Sequence, residues 1–314
     1  MSDARALSHT VVIPVYNKAP WIGETIASLA EQDTPPAELI VVDDASTDGS
    51  LAAARAALSA FSRACPHAHV ELIESPVNLG PGGARNIGMQ RANGSLLSFL
   101  DADDRYRPDC LRLVEERMRQ HQLAMVVLGF DEGGSGCFPQ LDLLAGELEP
   151  IEPGIWALPR PLRTAACPDF FMGRASNVVV RRCWIGSHRY HDSSRLNEGV
   201  DFWYRVLKTI HACPGTRVAL MDEPLIAFRV LGDSLSHQPC HDWRRLEVPP
   251  TIRRYAASAD RDDRRLMGML GERWLEHAMH SLPTRRQKLA FVTRHLPLLA
   301  RLSYYRRYSL PERA

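Results

Sequence analysis

The sequence predicts an α/β fold: a mostly parallel sheet flanked by helices, with a helical extension at the C-terminus. Two observations carry this prediction. Short apolar, often β-branched runs alternate with helical patterns over the first 130 residues, as in parallel sheets that are covered on both faces. The chain has 314 residues and is 45% hydrophobic, which is enough for two domains, or for one large domain with an appendage.

The predicted elements follow one another in a regular order. Polar or Gly-rich turns separate each short apolar run from the next helical pattern. Pro20 opens the first helix, and Trp21, Ile22, Ile26 and Leu29 lie on its apolar face. We predict strands at residues 10–14, 39–43, 70–74, 96–101 and 125–130, and further helices through about residue 65, at 80–92 and at 108–121.

Composition excludes several classes of protein. Lys and Arg number 38 against 37 Asp and Glu, a net charge of +1, so the chain as a whole has no bulk attraction for nucleic acid. The seven cysteines are scattered without a CxxC pair, which argues against a zinc knuckle or a disulfide framework. The sequence has no secretory apolar run at its start and no stretch of 18 apolar residues. We therefore expect a cytoplasmic protein.

Carboxylates follow two of the predicted strands, at the sheet edge where ligands bind in such folds. They are Asp43, Asp44, Asp101, Asp103 and Asp104. Like charges gathered at one edge are costly unless a cation joins them, and Mg²⁺ or Mn²⁺ prefers such oxygen ligands. Asp101 and Asp103 lie two apart, so in extended backbone they would face the same way.

The common nucleotide and calcium motifs do not fit. The chain has no GxxxxGK[ST] sequence, and the Gly-rich stretch at 80–85 lacks the third glycine of the dinucleotide fingerprint and follows the third strand. A calcium loop starting at Asp101 would need Gly where Tyr106 stands and Glu where Arg112 stands.

Four sequence blocks stand in a fixed order along the first third of the chain: V-V-I-P-V-Y-N at 11–17, V-V-D-D-A-S-T-D-G-S at 41–50, N-L-G-P-G-G-A-R-N-I-G at 78–88 and F-L-D-A-D-D at 99–104. In this order and spacing they resemble the family 2 glycosyltransferases, inverting nucleotide-sugar-dependent enzymes with the GT-A fold. The resemblance continues more loosely through 176–182, 197–205 and 228–236, and covers roughly residues 9–236.

The resemblance implies roles for residues that match the motifs. The Tyr16 ring would lie against the nucleobase, and Asp43 would bond the base, typically uracil, or its ribose. Arg85 would meet the nucleotide or its phosphates. Asp101 and Asp103 would form the DxD motif, the first reaching ribose and the last binding a Mn²⁺ or Mg²⁺ ion that bridges the diphosphate. The implied nucleotide-sugar contacts are Pro14, Tyr16, Asn17, Asp43, Arg85, Asp101 and Asp103, with Asp101 and Asp103 as the metal ligands.

The catalytic base is open between two carboxylates. In the family it is commonly the Asp of a Glu-Asp pair, but Gly199 stands at that position. Glu198 and Asp201 remain. A helix that begins near Gly199 would put Asp201 in its first turn, where an acid stabilises the helix dipole, and would leave Glu198 just before the helix, facing the cleft.

A second departure concerns the metal. Many relatives have a His in a loop near the end of the catalytic domain, and Leu231 stands there. His237 is a candidate replacement, or it is simply an exposed loop residue. Arg229 and Ser234 are candidates for the diphosphate.

The chain divides into a GT-A domain over residues 1–238 and a helical, Arg-rich region over 239–314. Within the first, 9–130 would bind the nucleotide and 131–238 the acceptor. The Arg-rich region leaves two interpretations open. It is a solvated helical face packed on the catalytic domain or on a second copy in a homo-oligomer, or it is a basic amphipathic helix lying on the inner membrane face.

These observations predict a metal-dependent inverting transferase that moves a sugar from a nucleotide-sugar donor, typically a UDP-sugar, to a glycan or lipid-linked acceptor in surface polysaccharide or glycoconjugate synthesis. Gly199 and Leu231 motivate an alternative, a catalytically weak nucleotide-sugar-binding scaffold protein. A nucleotidyltransferase would need a Gly-rich basic N-terminal loop that this sequence lacks.

Overall fold

The computed structural model describes residues 7–133, 137–167, 170, 175–191, 198–230 and 242–308. Within these residues, eleven strands form one sheet, and helices cover both of its faces. The strands are β1 (His9–Val15), β2 (Glu38–Asp43), β3 (His69–Glu74), β4 (Leu96–Phe99), β5 (Arg105–Tyr106), β6 (Leu123–Glu132), β7 (Cys137–Phe138), β8 (Glu149–Glu152), β9 (Ile155–Ala157), β10 (Val178–Arg181) and β11 (Arg217–Phe228).

The long strands run parallel, which confirms the predicted fold class. The order across the sheet is β3-β2-β1-β4-β10-β6-β11-β9-β8, with β5 beside β11 and β7 beside β6. β1 pairs in parallel with β2 and β4, and β6 pairs in parallel with β11. The carboxyl ends of β1, β2 and β4 therefore meet at one edge.

One strand departs from a simple parallel succession. β10 lies between β4 and β6 and is antiparallel to both. The strand predicted at 125–130 is present within β6, but it is not the direct neighbour of β4. Because the chain returns through β10, Ser176, just before this strand, lies beside the end of β4.

Side chains alternate between two cores, as expected for a strand that is covered on both sides. Along β1, Val12 faces one core, while Val11 and Ile13 face the other. The helices are α1 (Ile22–Ala30), α2 (Ser50–Ala64), α3 (Gly80–Arg91), α4 (Cys110–Gln120), α5 (Pro161–Thr164), α6 (Glu198–His211), α7 (Pro250–Tyr255), α8 (Arg261–Ser281) and α9 (Arg285–Tyr305).

Side-chain caps account for the starts of α8 and α9, and a glycine accounts for the close packing of α3 on the sheet. The Asp260 carboxylate accepts hydrogen bonds from the backbone N–H groups of Asp262 and Asp263 at 2.9 Å each, so it caps α8. The Thr284 hydroxyl does the same for α9 through the N–H of Gln287. Gly88 lets α3 lie close to the sheet, because a Cβ at this position would come within 2.2 Å of Val12.

The C-terminal helices pack on the rest of the molecule. Trp274 of α8 and Phe291 of α9 are buried in the same core that contains Phe202 and Trp203 of α6. Asp263 of α8 accepts hydrogen bonds from Tyr204 and Lys208 of α6. A shared core thus crosses the division predicted near residue 238, and the division itself stays a prediction. Among the described residues, no helix has the length and apolarity needed to cross a bilayer.

Candidate active site

The acidic segment after β4 forms a tight turn, not an extended strand. The N–H of Asp104 donates to the carbonyl of Asp101 at 3.0 Å and closes the turn. The expectation that Asp101 and Asp103 face the same way in extended backbone is therefore wrong, since β4 ends at Phe99. Asp101 instead meets Arg85 (Nη2–Oδ1 2.6 Å), and Asp103 meets Lys18 (Nζ–Oδ2 2.6 Å).

Neighbouring elements hold this acidic turn in place. The Ser176 hydroxyl accepts from the N–H of Asp101 at 3.0 Å and donates to Asp104 at 2.8 Å. The Thr25 hydroxyl of α1 donates to the carbonyl of Ala102 at 2.9 Å. Arg229 donates from its Nε to the carbonyl of Asp103 at 3.3 Å. The turn is thus fixed by groups from three separate parts of the chain.

The guanidinium of Arg229 is also held by two side chains outside the acidic turn. Its guanidinium lies over the Trp21 ring, 4.0 Å from the centroid, and pairs with Glu24 at 2.6 Å. The predicted diphosphate contact by Arg229 therefore stays a prediction. Leu231, Ser234 and His237 lie outside the described residues.

Burial and like charge act together on two carboxyls of the turn. Burial raises the pKa of Asp104 well above its usual range, and the charges of Asp101 and Asp103 raise it further. Burial also raises the pKa of Asp103, partly opposed by the hydrogen bond from Lys18 and reinforced by the charge of Asp101. Both carboxyls are therefore harder to ionise than an exposed aspartate.

Arg85 links this turn to the start of α6. Its Nη1 donates to Oε1 of Glu198 at 3.0 Å while its Nη2 holds Asp101. Arg85 is only 6% exposed, so it is not a plain surface arginine. Burial opposes its charge, but Asp101, Tyr190 and Glu198 more than compensate and raise the pKa of Arg85 above its ordinary value.

The aromatic ring beneath this arginine is Tyr190, which the sequence patterns do not single out. The centroid of its ring lies 5.3 Å from Cζ of Arg85, and the ring stacks on Phe202 at 4.1 Å. Asn86 fixes its backbone with two hydrogen bonds, at 2.8 and 3.0 Å. Gly82 makes room for the assembly, because a Cβ there would lie 2.9 Å from Tyr190 and 3.1 Å from Glu198.

Glu198 has the electrostatics of a group that can accept a proton near neutrality. It is the first described residue of α6, not a residue that precedes the helix as expected. Burial raises its pKa to about 7, against the opposing effect of Arg85. Its Oε2 is buried and accepts no hydrogen bond within the described part of the chain. One carboxylate oxygen is thus held by Arg85 while the other remains available.

Asp201 is engaged quite differently. Its Oδ2 binds Arg205 at 2.8 Å and its Oδ1 binds Arg254 of α7 at 3.2 Å. The residue is fully buried. Both carboxylate oxygens are therefore committed to arginines that join α6 to the C-terminal helices.

The ends of β1 and β2 supply the remaining predicted residues. Pro14 is buried within β1, whereas the Tyr16 side chain is 44% exposed. Asn17 has a positive φ of 53°, and its Oδ1 accepts from the N–H of Thr47 at 2.8 Å. An exposed aromatic ring thus stands beside a loop held by hydrogen bonds.

One carboxylate oxygen of Asp43 stabilises the turn after β2, and the other is available as an acceptor. Its Oδ2 accepts from the N–H of Ser46 at 3.1 Å, a contact that stabilises the turn. Its Oδ1 is buried and accepts no hydrogen bond from the residues that the structure describes. Such an atom is costly to leave unsatisfied, so Asp43 also has an acceptor to offer a ligand.

A complete metal site is not preformed in the described part of the chain: no three His, Cys, Asp or Glu side chains there are gathered in a way that could hold an ion. The acidic turn nevertheless fits a cation that substrate phosphates help to bind, since Mg²⁺ is commonly held by one or two carboxylates plus phosphates. Burial and the neighbouring carboxylates raise the pKa values of Asp103 and Asp104, and a bound cation would act in the opposite direction by favouring the charged carboxylates.

Comparison with known proteins gives the family. The model of Glycosyl transferase family 2 matches residues 10–178, more than half of the chain. The sequence is 28% identical over 227 residues to the putative teichuronic acid biosynthesis glycosyltransferase TuaG of Bacillus subtilis, covering 72% of this chain and 81% of that protein. It is 42% identical over 108 residues to the succinoglycan biosynthesis protein ExoO of Rhizobium meliloti, covering 34% of this chain and 29% of that one.

Solved structures agree on the fold. The S. aureus protein TarS (1–349), in complex with UDP-GlcNAc, superposes with a TM-score of 0.64 at 19% identity, over 97% of this chain and 82% of that one. The mannosyltransferase PcManGT from Pyrobaculum calidifontis, in complex with GDP-Man and Mn²⁺, gives 0.52 at 17% identity, over 96% and 70%. The fold is that of GT-A glycosyltransferases.

The chain belongs to glycosyl transferase family 2, and it is a glycosyltransferase. The resemblance drawn from the sequence motifs is thereby confirmed. The residues that sequence reasoning missed are Lys18, Tyr190 and Ser176. Lys18 directly follows the V-Y-N motif and Ser176 opens the S-N-V-V-V block, so position offered a signal for these two, but Tyr190 has no such neighbour.

Proposed function

We propose that this protein is a metal-dependent inverting glycosyltransferase that uses a UDP-sugar donor and a glycan or lipid-linked acceptor in the synthesis of a cell-surface polysaccharide. The observation that carries the proposal is the buried Arg85 bridge between Asp101 of the acidic turn and Glu198. It joins a donor-side carboxylate and a potential base within one cluster. The names of TuaG and ExoO support a role in polysaccharide synthesis.

The nucleotide would lie at the ends of β1 and β2. The exposed Tyr16 ring offers a stacking surface for the base, and the unused Oδ1 of Asp43 offers an acceptor to the base or ribose. TarS complexes with UDP and UDP-GlcNAc support a uridine donor, whereas PcManGT was solved with GDP-Man. Pro14 and Asn17 would shape the wall behind the base.

Asp103 and Asp101 would hold a divalent cation together with the donor diphosphate, and Asp104 adds charge nearby. When bound, Mn²⁺ or Mg²⁺ supplies Lewis-acid stabilisation of the leaving diphosphate. Lys18, which pairs with Asp103 at 2.6 Å, would offer a second positive charge to the donor phosphates.

Glu198 would act as the general base. The acceptor hydroxyl gives its proton to Oε2 while its oxygen bonds to the anomeric carbon from the face opposite the diphosphate. The bond from that carbon to the phosphate oxygen breaks, and the electron pair leaves with the nucleoside diphosphate. This single displacement inverts the anomeric centre. Proton abstraction of this kind is worth about 10²–10⁴-fold in rate.

A catalytically weak scaffold protein of the same fold is the second candidate. Its motivation is Gly199, which replaces the Asp of the family's Glu-Asp pair. The arrangement of Glu198 favours the enzyme, because its pKa of about 7 and free Oε2 suit a base at neutral pH.

A thermal-shift screen of nucleotide sugars with and without Mn²⁺ tests the donor proposal. A ligand that binds the native state adds about 2–3 kcal/mol to the free energy of unfolding at a hundredfold excess over Kd, and Tm rises as a result. We expect UDP-sugars with Mn²⁺ to raise Tm by several degrees, and less without Mn²⁺. Asp43→Asn should weaken the response, and Asp142→Asn, in the region after β7, is the matched control. A response to GDP-sugars alone would overturn the uridine assignment.

A further inference from the structure

Helix α9 has large apolar side chains on its exposed side as well as on the side that packs on the core. Phe291, Leu302 and Tyr305 of this helix are buried, so its inner side is already used in packing. On the outer side, Leu289 is 68% exposed, Leu296 is 56% exposed and Tyr304 is 53% exposed. Exposed leucines seven residues apart fall on one stripe of a helix, which continues through Ala300 to Tyr304.

Cations border this apolar stripe. Lys288 lies along one side, and Arg294 and Arg301 lie along the other, as follows from the 100° turn per residue. Residues 285–308 contain seven Lys and Arg and no Asp or Glu. We use the term α9 outer face for the stripe Leu289, Leu296, Ala300 and Tyr304 together with Lys288, Arg294 and Arg301.

We propose that the α9 outer face binds an anionic phospholipid surface and docks the protein on a membrane without crossing it. Charge complementarity selects this occupant. A helix whose apolar stripe is flanked by Lys and Arg enters the boundary between headgroups and acyl chains, and its cations meet the lipid phosphates. The 21 residues of α9 make a face roughly 32 Å long, which is long enough to contact several lipids.

Other occupants fit the charges and the stripe less well. A second copy of this chain, packed face to face, would oppose the same cations without a carboxylate from α9 to neutralise them. Nucleic acid would use the cations but would leave the leucines in water. The whole chain has a net charge of +1, so any strong attraction to anionic lipid must be local.

A series of side-chain contacts connects α9 to the helix that carries Glu198. Trp274 of α8 packs on Phe291 of α9 with ring centroids 5.0 Å apart. Asp263 of α8 holds Lys208 of α6 at 2.6 Å, and α6 begins at Glu198. Membrane docking would therefore fix the orientation of α6 relative to the lipid surface.

Vesicle co-sedimentation of the full chain tests the proposal. We use vesicles of phosphatidylcholine with about 30 mol% phosphatidylglycerol, and pure phosphatidylcholine for comparison. Wild type should bind the anionic vesicles, and added salt should weaken the binding. Arg294→Gln/Arg301→Gln should lower the affinity by about 10- to 30-fold, and Leu289→Gln/Leu296→Gln by roughly tenfold or more.

Matched variants separate the face from general charge and apolarity. Arg63→Gln/Arg119→Gln removes two exposed arginines from α2 and α4, and Val77→Gln removes an apolar side chain that is 57% exposed. These controls should bind as wild type does, and circular dichroism checks that every variant is folded.

Three results would overturn the proposal. The first is that wild type does not bind the anionic vesicles at low salt. The second is that Arg63→Gln/Arg119→Gln loses as much vesicle affinity as Arg294→Gln/Arg301→Gln, and the third is that a nucleic-acid duplex displaces the vesicles. A concentration-dependent dimer that Leu289→Gln/Leu296→Gln abolishes, without vesicle binding, would assign the face to a second copy instead. None of these readouts depends on sugar transfer.

Discussion

Asp103→Asn is expected to lower sugar transfer by about 10²–10⁴-fold, because a neutral amide cannot supply the negative charge that holds a cation against the diphosphate. The fold should survive. The amide oxygen can still accept the hydrogen bond that Lys18 now gives at 2.6 Å, and the substitution removes a charge that raises the pKa of Asp104. The measurement is the rate of nucleoside diphosphate release in saturating Mn²⁺, with Tm as the check on folding.

The matched control for this variant is Asp33→Asn. Asp33 is half-exposed and pairs with Arg112 at 3.0 Å, outside the acidic turn. It should transfer sugar as wild type does. Full activity of Asp103→Asn would remove Asp103 from the proposed metal site, and equal losses in both variants would indicate a general effect of charge.

Glu198→Gln is expected to lower kcat by about 10²–10⁴-fold with little change in donor binding, because glutamine keeps the shape of the side chain but cannot accept the acceptor's proton. Wild-type kcat/KM should rise with pH up to about 7 and then level off. Burial raises the pKa of Glu198 to about 7 in the free protein, and a general base works only when it is deprotonated. The variant should lose this rise, which a pH profile of kcat/KM measures directly.

Asp201→Asn distinguishes the two candidate bases. Asp201 binds Arg205 and Arg254, so Asp201→Asn removes the negative charge that both arginines share and should lower Tm. The rise in kcat/KM below pH 7 should remain in the folded fraction. If this rise disappeared in Asp201→Asn and persisted in Glu198→Gln, the assignment of the base would be reversed.

Much of the parallel sheet could be predicted from local sequence. Strands β1, β2 and β6 are covered on both faces of the sheet. Such strands are nearly continuous runs of β-branched and apolar residues, which are visible in the sequence. The position of β10 could not be predicted, because its residues 179–181 pair with β4 across more than 80 positions of sequence. Antiparallel insertion of this kind depends on long-range packing that no local pattern records.

The site was predictable in its residue types but not in its contacts. The acidic residues after β4 were identified, yet their backbone closes into a turn through the Asp104–Asp101 hydrogen bond. Glu198 and Asp201 lie within one helical turn, and sequence alone could not separate them. What distinguishes them are distant partners: Arg85 for one, and Arg254, 53 residues further along the chain, for the other.

The anomeric configuration of the sugar released from a UDP-sugar panel shows whether the enzyme inverts the donor with Glu198 as its base. Without an acceptor, water can attack the donor, and early NMR spectra record the product before it equilibrates. We expect metal-dependent release of the β-sugar from an α-linked donor, because the nucleophile activated by Glu198 attacks opposite the diphosphate. Release of the α-sugar, or UDP-sugar binding in Mn²⁺ with no turnover of any donor, would contradict it.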